Sequence, residues 1–337
     1  MPTSLTRRSF VGVTLGSLTV FSRTLRGVDV EFAFSQYHNQ TPASSLHKRL
    51  VQMWEAVQAE TNGRVVVKVF PQNNGIQGSD PAALKALVAG EIQFFTLMGG
   101  ILGTIIPAAE VQQVPFAFRS AAHAHEAMDG PLGAYLCEEM AAKGIHGFRT
   151  GAFDNGMREI TANKRIVTPE DLAGLKMRVP AGQLVADTFT AFGCQPVIIN
   201  SDSIYAALKD GRADAQENPL TLADQFKLYE VVKYVAMTDH MWSGFNQLAN
   251  LAAWQKLPDD IKGIIDRNVT KHVRLQRQDQ VAANARLRTE LAARGLEFNT
   301  PDAAPFKRKL AGTYAMWKDK LGSKCWNLLE RSAGSIA

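Results

Sequence analysis

The sequence predicts an α/β protein of two lobes, and three observations support this prediction. Short apolar strand candidates alternate with amphipathic helix candidates twice along the chain, once before and once after residue 155. The chain has 337 residues, 46% of them hydrophobic, which is enough to fill more than one core. A later segment, residues 235–254, is long enough to cross back between the lobes.

Residues 1–27 are predicted to form an export signal, because the basic stretch TRRSF precedes the apolar run FVGVTLGSLTVF and these residues include no Asp or Glu. The apolar run is shorter than the roughly 20 residues that a membrane-spanning helix needs. Paired Arg7 and Arg8 indicate the twin-arginine route to the periplasm. No A-x-A cleavage site is visible, so the mature start is placed near residues 27–29, and a retained leader that tethers the chain is the alternative.

Removing this leader changes the charge of the chain. The formal net charge is +5, and subtracting the four arginines of the leader leaves about +1. The remaining Lys and Arg alternate with Asp and Glu, without the basic face or stacking aromatic residues that nucleic acid needs. We therefore expect no nucleic-acid partner.

In the first half, VEFAFSQ, RVVVKVF and EIQFFTLM are strand candidates. The helix candidate SSLHKRLVQMWEAVQAETNG places large apolar residues on one face and ends at Gly63. The second helix candidate, SDPAALKALVAGE, has Pro81 near its start and Gly90 at its end. This alternation predicts a mainly parallel sheet covered on both faces, with ligands at the carboxyl ends of its strands.

The same pattern restarts after residue 155. Thr168, Pro169 and Asp171 indicate a helix start, and LKMRVP and PVIIN are strand candidates followed by the helix candidates VADTFTAFG and SDSIYAALKDG. Residues 258–294 are charged, rich in alanine, and predicted to form long helices broken at Gly263. Two such lobes joined by crossing segments are typical of a protein that closes by hinge motion.

The chain has three cysteines, Cys137, Cys194 and Cys325, which cannot all pair with one another. None lies in a C-x-x-C motif, and we expect free structural thiols. A bridge between Cys137 and Cys325 is the alternative. His123 and His125 are two residues apart and do not form the i, i+4 pair of a zinc helix, so we expect no metal.

Arg178 ends the short apolar run LKMRVP, bounded by Gly174 and Pro180. A strand here delivers the guanidinium to a sheet edge, where its planar fork of donors is suited to gripping a carboxylate at two points. The alternative is an arginine paired with an Asp or Glu of the chain itself. The residues alone leave both interpretations open.

The runs NGMREITAN, TPEDLAGLKMRVP, FGCQPVIINSDSIYAAL and DGRADAQENPL resemble the second domain of the solute-binding proteins of TRAP transporters. The stretches ETNGRVVVKVFPQ, LKALVAGEIQF, VPFAFRS and HEAMDGPLG resemble the first domain, in the same order. The resemblance implies a bilobal periplasmic-binding-protein fold, type II-like, with a hinge and long bracing C-terminal helices. It also implies that Arg178 binds a ligand carboxylate, that Arg158 assists, and that Asn218 adds a polar contact.

The lobe boundaries are set accordingly. Lobe 1 is predicted to span residues 28–155 with the return segment 244–283, and lobe 2 residues 156–243 with the C-terminal helices 284–337. Further binding residues are expected near the ends of strand candidates, where the cleft should lie: Tyr37, Gln72, Phe153 and Trp242. The chain has Ser203 where many family members have a Glu, and Ser201 where some members have an aromatic residue, so the resemblance does not identify the acid.

The function implied is that of a monomeric periplasmic receptor, without cofactor, that captures a small organic acid anion and delivers it to TRAP permease subunits. The sequence contains no G-x-S-x-G elbow and no complete phosphate-binding glycine loop, which disfavours an enzyme. Two alternatives remain: a sensory binding protein that reports the acid to a signalling partner, and an α/β enzyme acting on a carboxylate.

Overall fold

The computed structural model describes residues 24–25 and 28–336. The predicted export signal therefore lies outside the described residues, apart from residues 24–25. The strands are β1 (Thr24–Leu25), β2 (Val28–Asp29), β3 (Phe32–His38), β4 (Val65–Phe70), β5 (Phe94–Met98), β6 (Ile145–Ala162), β7 (Lys176–Val179), β8 (Gln195–Ile198), β9 (Ala215–Asn218), β10 (Tyr234–Asn250) and β11 (Glu297–Asn299).

Twelve α-helices are found among the described residues. They are α1 (Ser45–Glu60), α2 (Ser79–Ala89), α3 (Gly99–Leu102), α4 (Ala121–Asp129), α5 (Pro131–Ala141), α6 (Gln183–Ala191), α7 (Ile204–Lys209), α8 (Leu220–Gln225), α9 (Leu251–Gln255), α10 (Asp259–Ala293), α11 (Ala303–Lys309) and α12 (Ala311–Ala333). Short 3-10 helices lie at Pro71–Gly75, Pro107–Gln113, Pro169–Leu172, Ser201–Ser203 and Leu228–Glu230.

One sheet contains strands from both halves of the chain, in the order β4-β3-β5-β10-β6-β9-β7-β8, with β11 beside β10. The predicted parallel pairing is found within each half, since β3 runs parallel to β4 and β5, and β7 runs parallel to β8 and β9. The centre is antiparallel, because the long strands β6 and β10 pass in opposite directions between the halves. The sheet is thus mixed.

Local signals in the sequence account for most elements of the first half. Helix α1 buries the predicted apolar face, which includes Leu50, Met53 and Trp54. Helix α2 ends at Gly90, whose φ of 79° lies in the left-handed region that favours glycine. The helix start predicted at Thr168 is a capping box, but it opens only a 3-10 turn at Pro169–Leu172.

The predicted break at Gly263 is wrong, because α10 continues through this residue. A glycine inside a helix costs about 1 kcal/mol relative to alanine, which packing can offset. Ile261 and Ile265 are buried on either side of Gly263, and α10 packs along α1 and β6. Tertiary contact therefore keeps the helix in one piece.

The boundary between the predicted lobes falls inside β6. Gly156 has a φ of 100°, and the pairing of β6 with β10 shifts register near it. The strands β6 and β10 run through both halves, and α12 packs against α4, α5 and α6. The assignment of segments to two lobes stays a prediction.

The three cysteines are free, as predicted. Cys194 and Cys325 are buried, and burial raises the pKa of each thiol to about 12. Burial likewise raises the pKa of Cys137 to about 11. These thiols are protonated at neutral pH and are packing residues, not nucleophiles.

Candidate functional site

The ends of three neighbouring strands bring polar side chains to one small cavity. Arg158 lies on β6, Arg178 on β7 and Asn218 at the end of β9. The cavity measures about 30 Å³. It is lined by Asn39, Asp80, Met98, Ile101, Asn155, Arg158, Arg178, Pro180, Ala181, Asn200, Ser201, Asn218, Leu222 and Phe245.

Arg178 is held in this wall by its strand and by one hydrogen bond. It pairs with Val197 of β8 and Gln216 of β9, and its Nε donates to the carbonyl oxygen of Ile199 at 2.8 Å. The side chain is 3% exposed. Among the residues that the structure describes, its two terminal nitrogens have no hydrogen-bond acceptor and no ion pair. Four N–H groups of a buried cation are thus available for a ligand.

The electrostatic state of Arg178 reflects this lack of a counter-ion. Burial lowers the pKa of Arg178 to about 9. The negative charges of Glu217, Asp80 and Asp202 oppose this change, and the positive charge of Arg158 adds to it. A buried cation without a partner is unfavourable unless an anion joins it. The site is therefore complementary to a carboxylate.

Arg158 has a different role, because the chain supplies its carboxylate. Its Nε and Nη2 donate to the two carboxylate oxygens of Glu217, and both residues are fully buried. Burial alone would raise the pKa of Glu217, but the charge and hydrogen bonds of Arg158 and the nearby His240, whose Nε2 lies 3.4 Å from Glu217 Oε2, lower it to about 2. Arg158 thus matches the alternative of an arginine with a partner from its own chain.

Asn218 links the Arg158 pair to the cavity. Its Oδ1 accepts from Arg158 Nη2 at 3.1 Å, and its Nδ2 donates to Gln216 Oε1 at 2.6 Å. The remaining Arg158 nitrogen, Nη1, donates to Ser243 Oγ at 3.0 Å. These contacts fix the wall of the cavity beside Arg178.

The facing wall comes from the first half of the chain. Asn39 follows β3, and Asp80 lies in the first turn of α2. Asn39 Nδ2 donates to Asp80 Oδ2 at 2.7 Å, and Asn73 Nδ2 donates to Asp80 Oδ1 at 2.6 Å. Burial raises the pKa of Asp80 above its usual value, although these two amides and the charge of Arg178 oppose this change.

Four predicted binding residues lie outside this cavity. Tyr37 stacks on Phe70 with ring centroids 4.7 Å apart, and Gln72 is exposed in the following turn. Phe153 is buried opposite Phe245 in the β6–β10 pairing. Trp242 is fully buried, and its Nε1 donates to Asp154 Oδ1 at 2.9 Å. Only Arg178, Arg158 and Asn218 of the predicted set meet at the cavity.

A larger groove of about 530 Å³ lies between α1, α8 and α10 and shares Asn155 and Phe245 with the cavity. Apart from Lys48, its charged groups have partners within the described part of the chain. Arg49 donates to both carboxylate oxygens of Asp279, at 2.7 and 2.8 Å. The smaller cavity, which contains the unpaired Arg178, is the better candidate for anion binding despite its size.

Sequence reasoning missed Asn39, Asp80 and Glu217. Asn39 carried a usable signal, because a polar residue directly after a strand of a parallel sheet lies at the edge where ligands collect. Asp80 resembled an ordinary acidic residue at a helix start, where the helix dipole favours it. Glu217 was part of a quoted motif, but its pairing with Arg158 depends on strand register.

Residues 35–320 match the family described as bacterial extracellular solute-binding protein, family 7. The chain belongs to this family. The sialic acid-binding periplasmic protein SiaP of Vibrio cholerae is 28% identical over 271 residues, which are 80% of this chain and 83% of that protein. The C4-dicarboxylate-binding periplasmic protein DctP of Rhodobacter capsulatus is 30% identical over 262 residues, 77% of each chain.

Solved structures of TRAP periplasmic solute-binding proteins share the fold. The protein from Sulfitobacter, with bound β-D-galacturonate, has a TM-score of 0.84 and 25% identity, covering 90% of this chain and 100% of that one. The protein from Polaromonas, bound to D-erythronate, also has a TM-score of 0.84 and 25% identity, covering 91% of this chain and 100% of that one. The predicted family and bilobal α/β fold are thereby confirmed.

The length of one relative differs from that of this solute-binding protein. An uncharacterized protein of Sinorhizobium fredii is 32% identical over 228 residues, which are 67% of this chain and 41% of that protein. This chain therefore spans less than half the length of that relative. In residues 24–25 and 28–336, no helix combines the length and the apolar character needed to cross a bilayer.

Proposed function

We propose that this solute-binding protein is exported to the periplasm, captures a small hydroxylated organic acid and delivers it to the membrane permease of a TRAP transporter. Arg178 binds the carboxylate of the acid. Arg158, held by Glu217, and Asn218 shape the wall beside it. The galacturonate and erythronate carried by two related structures support an acid of this class.

One observation carries the proposal most directly. Two arginines share a buried site, and only one has a carboxylate partner from the chain, since Glu217 pairs with Arg158 while Arg178 has only the Ile199 carbonyl among the described residues. A ligand carboxylate would supply the missing negative charge and accept two hydrogen bonds from the free N–H groups of Arg178. An arginine with a purely structural role has no reason to remain unpaired in a buried site.

The size of the cavity supports capture by closure. A volume of about 30 Å³ is enough for a water molecule but far below the roughly 300 to 1,000 Å³ typical of ligand pockets. The two walls therefore have to part before an acid enters, and they close on it again because only the closed state has contacts from both sides. Small-angle scattering should show a larger radius of gyration without the acid than with it. An unchanged radius at a saturating concentration of a binding acid would contradict this hinge.

The identity of the acid is tested by a thermal-shift screen of hydroxy acids, sugar acids, dicarboxylates and keto acids. A ligand at about 100 times its dissociation constant stabilises the folded protein by roughly 2.7 kcal/mol. Stabilisation by a carboxylate, and none by the matching neutral sugar, is the expected result. If no carboxylate stabilises the protein, the proposed function is wrong.

Two cellular experiments separate the proposed role from its alternatives. In a strain without the permease subunits, uptake of the acid should be lost. Retained uptake with lost gene induction in a strain lacking this protein would instead support a sensory role. For the enzyme alternative, prolonged incubation followed by recovery of the unchanged acid is the outcome expected of a receptor.

A further inference from the structure

We propose that Asp80 and Asn39 form a hydroxyl-recognition subsite that selects hydroxylated monocarboxylates and rejects dicarboxylates. The inference rests on the proposed function, because it concerns the part of the acid that Arg178 does not bind. It assigns a selective role to a wall built from the loop after β3 and the first turn of α2.

The first observation is that the Asp80 carboxylate lines the cavity and retains acceptor capacity. Each of its oxygens accepts one amide hydrogen, from Asn39 at 2.7 Å and from Asn73 at 2.6 Å. The carboxyl group accepts only these two hydrogen bonds among the described residues, so it can accept a further one from a ligand. Asp80 forms no ion pair among the described residues, and although its charge acts on Arg178 across the cavity, its oxygens are not bonded to that guanidinium.

The second observation is an independent one on Asn39. Its Oδ1 atom is buried and has no hydrogen-bond partner among the described residues. The amide cannot be reversed to relieve this, because its Nδ2 must face the Asp80 carboxylate to donate to it. A buried acceptor without a donor is unfavourable, and a ligand O–H would satisfy it.

The two walls of the cavity thus have opposite character. Arg178 provides donors only, whereas Asp80 and Asn39 Oδ1 provide acceptors. An acid with a carboxylate at one end and hydroxyl groups further along matches both walls. A second ligand carboxylate would instead meet acceptors and a like charge, and an alkyl chain would leave the acceptors unsatisfied.

The test uses four probes that differ in these groups: D-erythronate and D-galacturonate as hydroxylated acids, succinate as a dicarboxylate and butanoate as an acid without hydroxyls. Calorimetry on the wild-type protein should show at least one hydroxylated acid binding about 10-fold or more tighter than succinate and butanoate. In Asp80→Asn, this preference over succinate should shrink by about 10- to 100-fold, since the acceptor charge is lost.

The control variant is Asn73→Ala, which removes a donor to Asp80 from outside the cavity while leaving the carboxylate in place. It should weaken the probes by similar factors and keep the preference. Succinate binding by Asp80→Asn also reports that this variant is folded.

The outcomes separate the two proposals. Equal or tighter binding of succinate or butanoate by the wild type, or an unchanged preference in Asp80→Asn, overturns the subsite and leaves the organic-acid receptor intact. If the wild type binds none of the four probes and no other carboxylate in the thermal-shift screen, both the proposed function and the subsite are wrong.

Discussion

Replacing each of the two buried arginines should separate binding from stability. Arg178 lacks an ion pair, so Arg178→Ala removes the charge that a ligand carboxylate needs but breaks no ion pair of the chain. Loss of one partner of a buried ligand pair costs about 2 to 5 kcal/mol, which corresponds to a roughly 30- to several-thousand-fold weaker affinity. Arg178→Lys should recover part of this loss, because it keeps the charge but not the fork.

The effect on folding should be the reverse. Arg158→Ala leaves the carboxylate of Glu217, which is 0% exposed, without its main partner. Breaking a buried pair in this way typically costs about 3 to 5 kcal/mol of unfolding free energy. Arg178→Ala should cost much less in the unliganded protein, because a buried cation without a counter-ion contributes little favourable energy to lose.

Urea unfolding measures the stabilities, and calorimetry with the acid identified by the thermal-shift screen measures the affinities. The matched control is Arg212→Ala, since Arg212 is an exposed arginine whose partner among the described residues is Asp210. The unfolding free energy and the ligand affinity of Arg212→Ala should both stay near those of the wild type. The reasoning is refuted if Arg178→Ala binds the acid within about twofold of wild type, or if it destabilises the unliganded protein as much as Arg158→Ala.

Three further predictions concern stability. Burial alone would raise the pKa of Glu217, but its arginine partner lowers this pKa from 4.5 to about 2. The stabilisation that Glu217 contributes is therefore present above pH 4.5 and is lost as pH falls toward 2. Glu217→Gln should flatten this acid slope of the unfolding free energy measured with urea. Burial raises the pKa of Glu110 from 4.5 to about 7, so its contribution to stability should be lost as pH rises from 4.5 through 7, and Glu110→Gln should make that fall shallower. Gly244→Ala should cost about 1 to 3 kcal/mol, because the added Cβ would lie 2.0 Å from the buried Trp242 ring, whereas Gly312→Ala, with open space around it, should be neutral or stabilising in thermal melts.

Local patterns predicted the fold well where one element decides its own form. The apolar face of α1 and the glycine after α2 are readable from a few adjacent residues. The break predicted at Gly263 failed because the contacts that hold α10 together come from α1 and β6, which are distant in sequence. The same limit applies to the antiparallel centre of the sheet, since pairing partners are not visible in a single strand.

The candidate site divides in the same way. The position of Arg178 at a strand end was predictable, and the family resemblance placed Arg158 and Asn218 beside it. The pairing of Arg158 with Glu217, 59 residues away, requires the register between β6 and β9, which one sequence does not show. The approach of Asp80 depends on a loop in which Gln72, Asn73 and Asn74 all have positive φ, so no periodic pattern foretells its course.

Arg158 has a carboxylate partner from the chain and Arg178 does not, and under the proposed function this difference would let one site be stable and also respond to a ligand. If both arginines had carboxylate partners from the chain, closure of the walls would bury no unpaired charge and would need no ligand. If neither had one, two buried cations about a single cavity would oppose folding. With Arg158 neutralised by Glu217, its guanidinium is fixed by packing and hydrogen bonds and provides a rigid wall. Under the proposed function, Arg178 alone would couple closure to the arrival of an anion, because the closed state would become favourable only when a carboxylate enters with it.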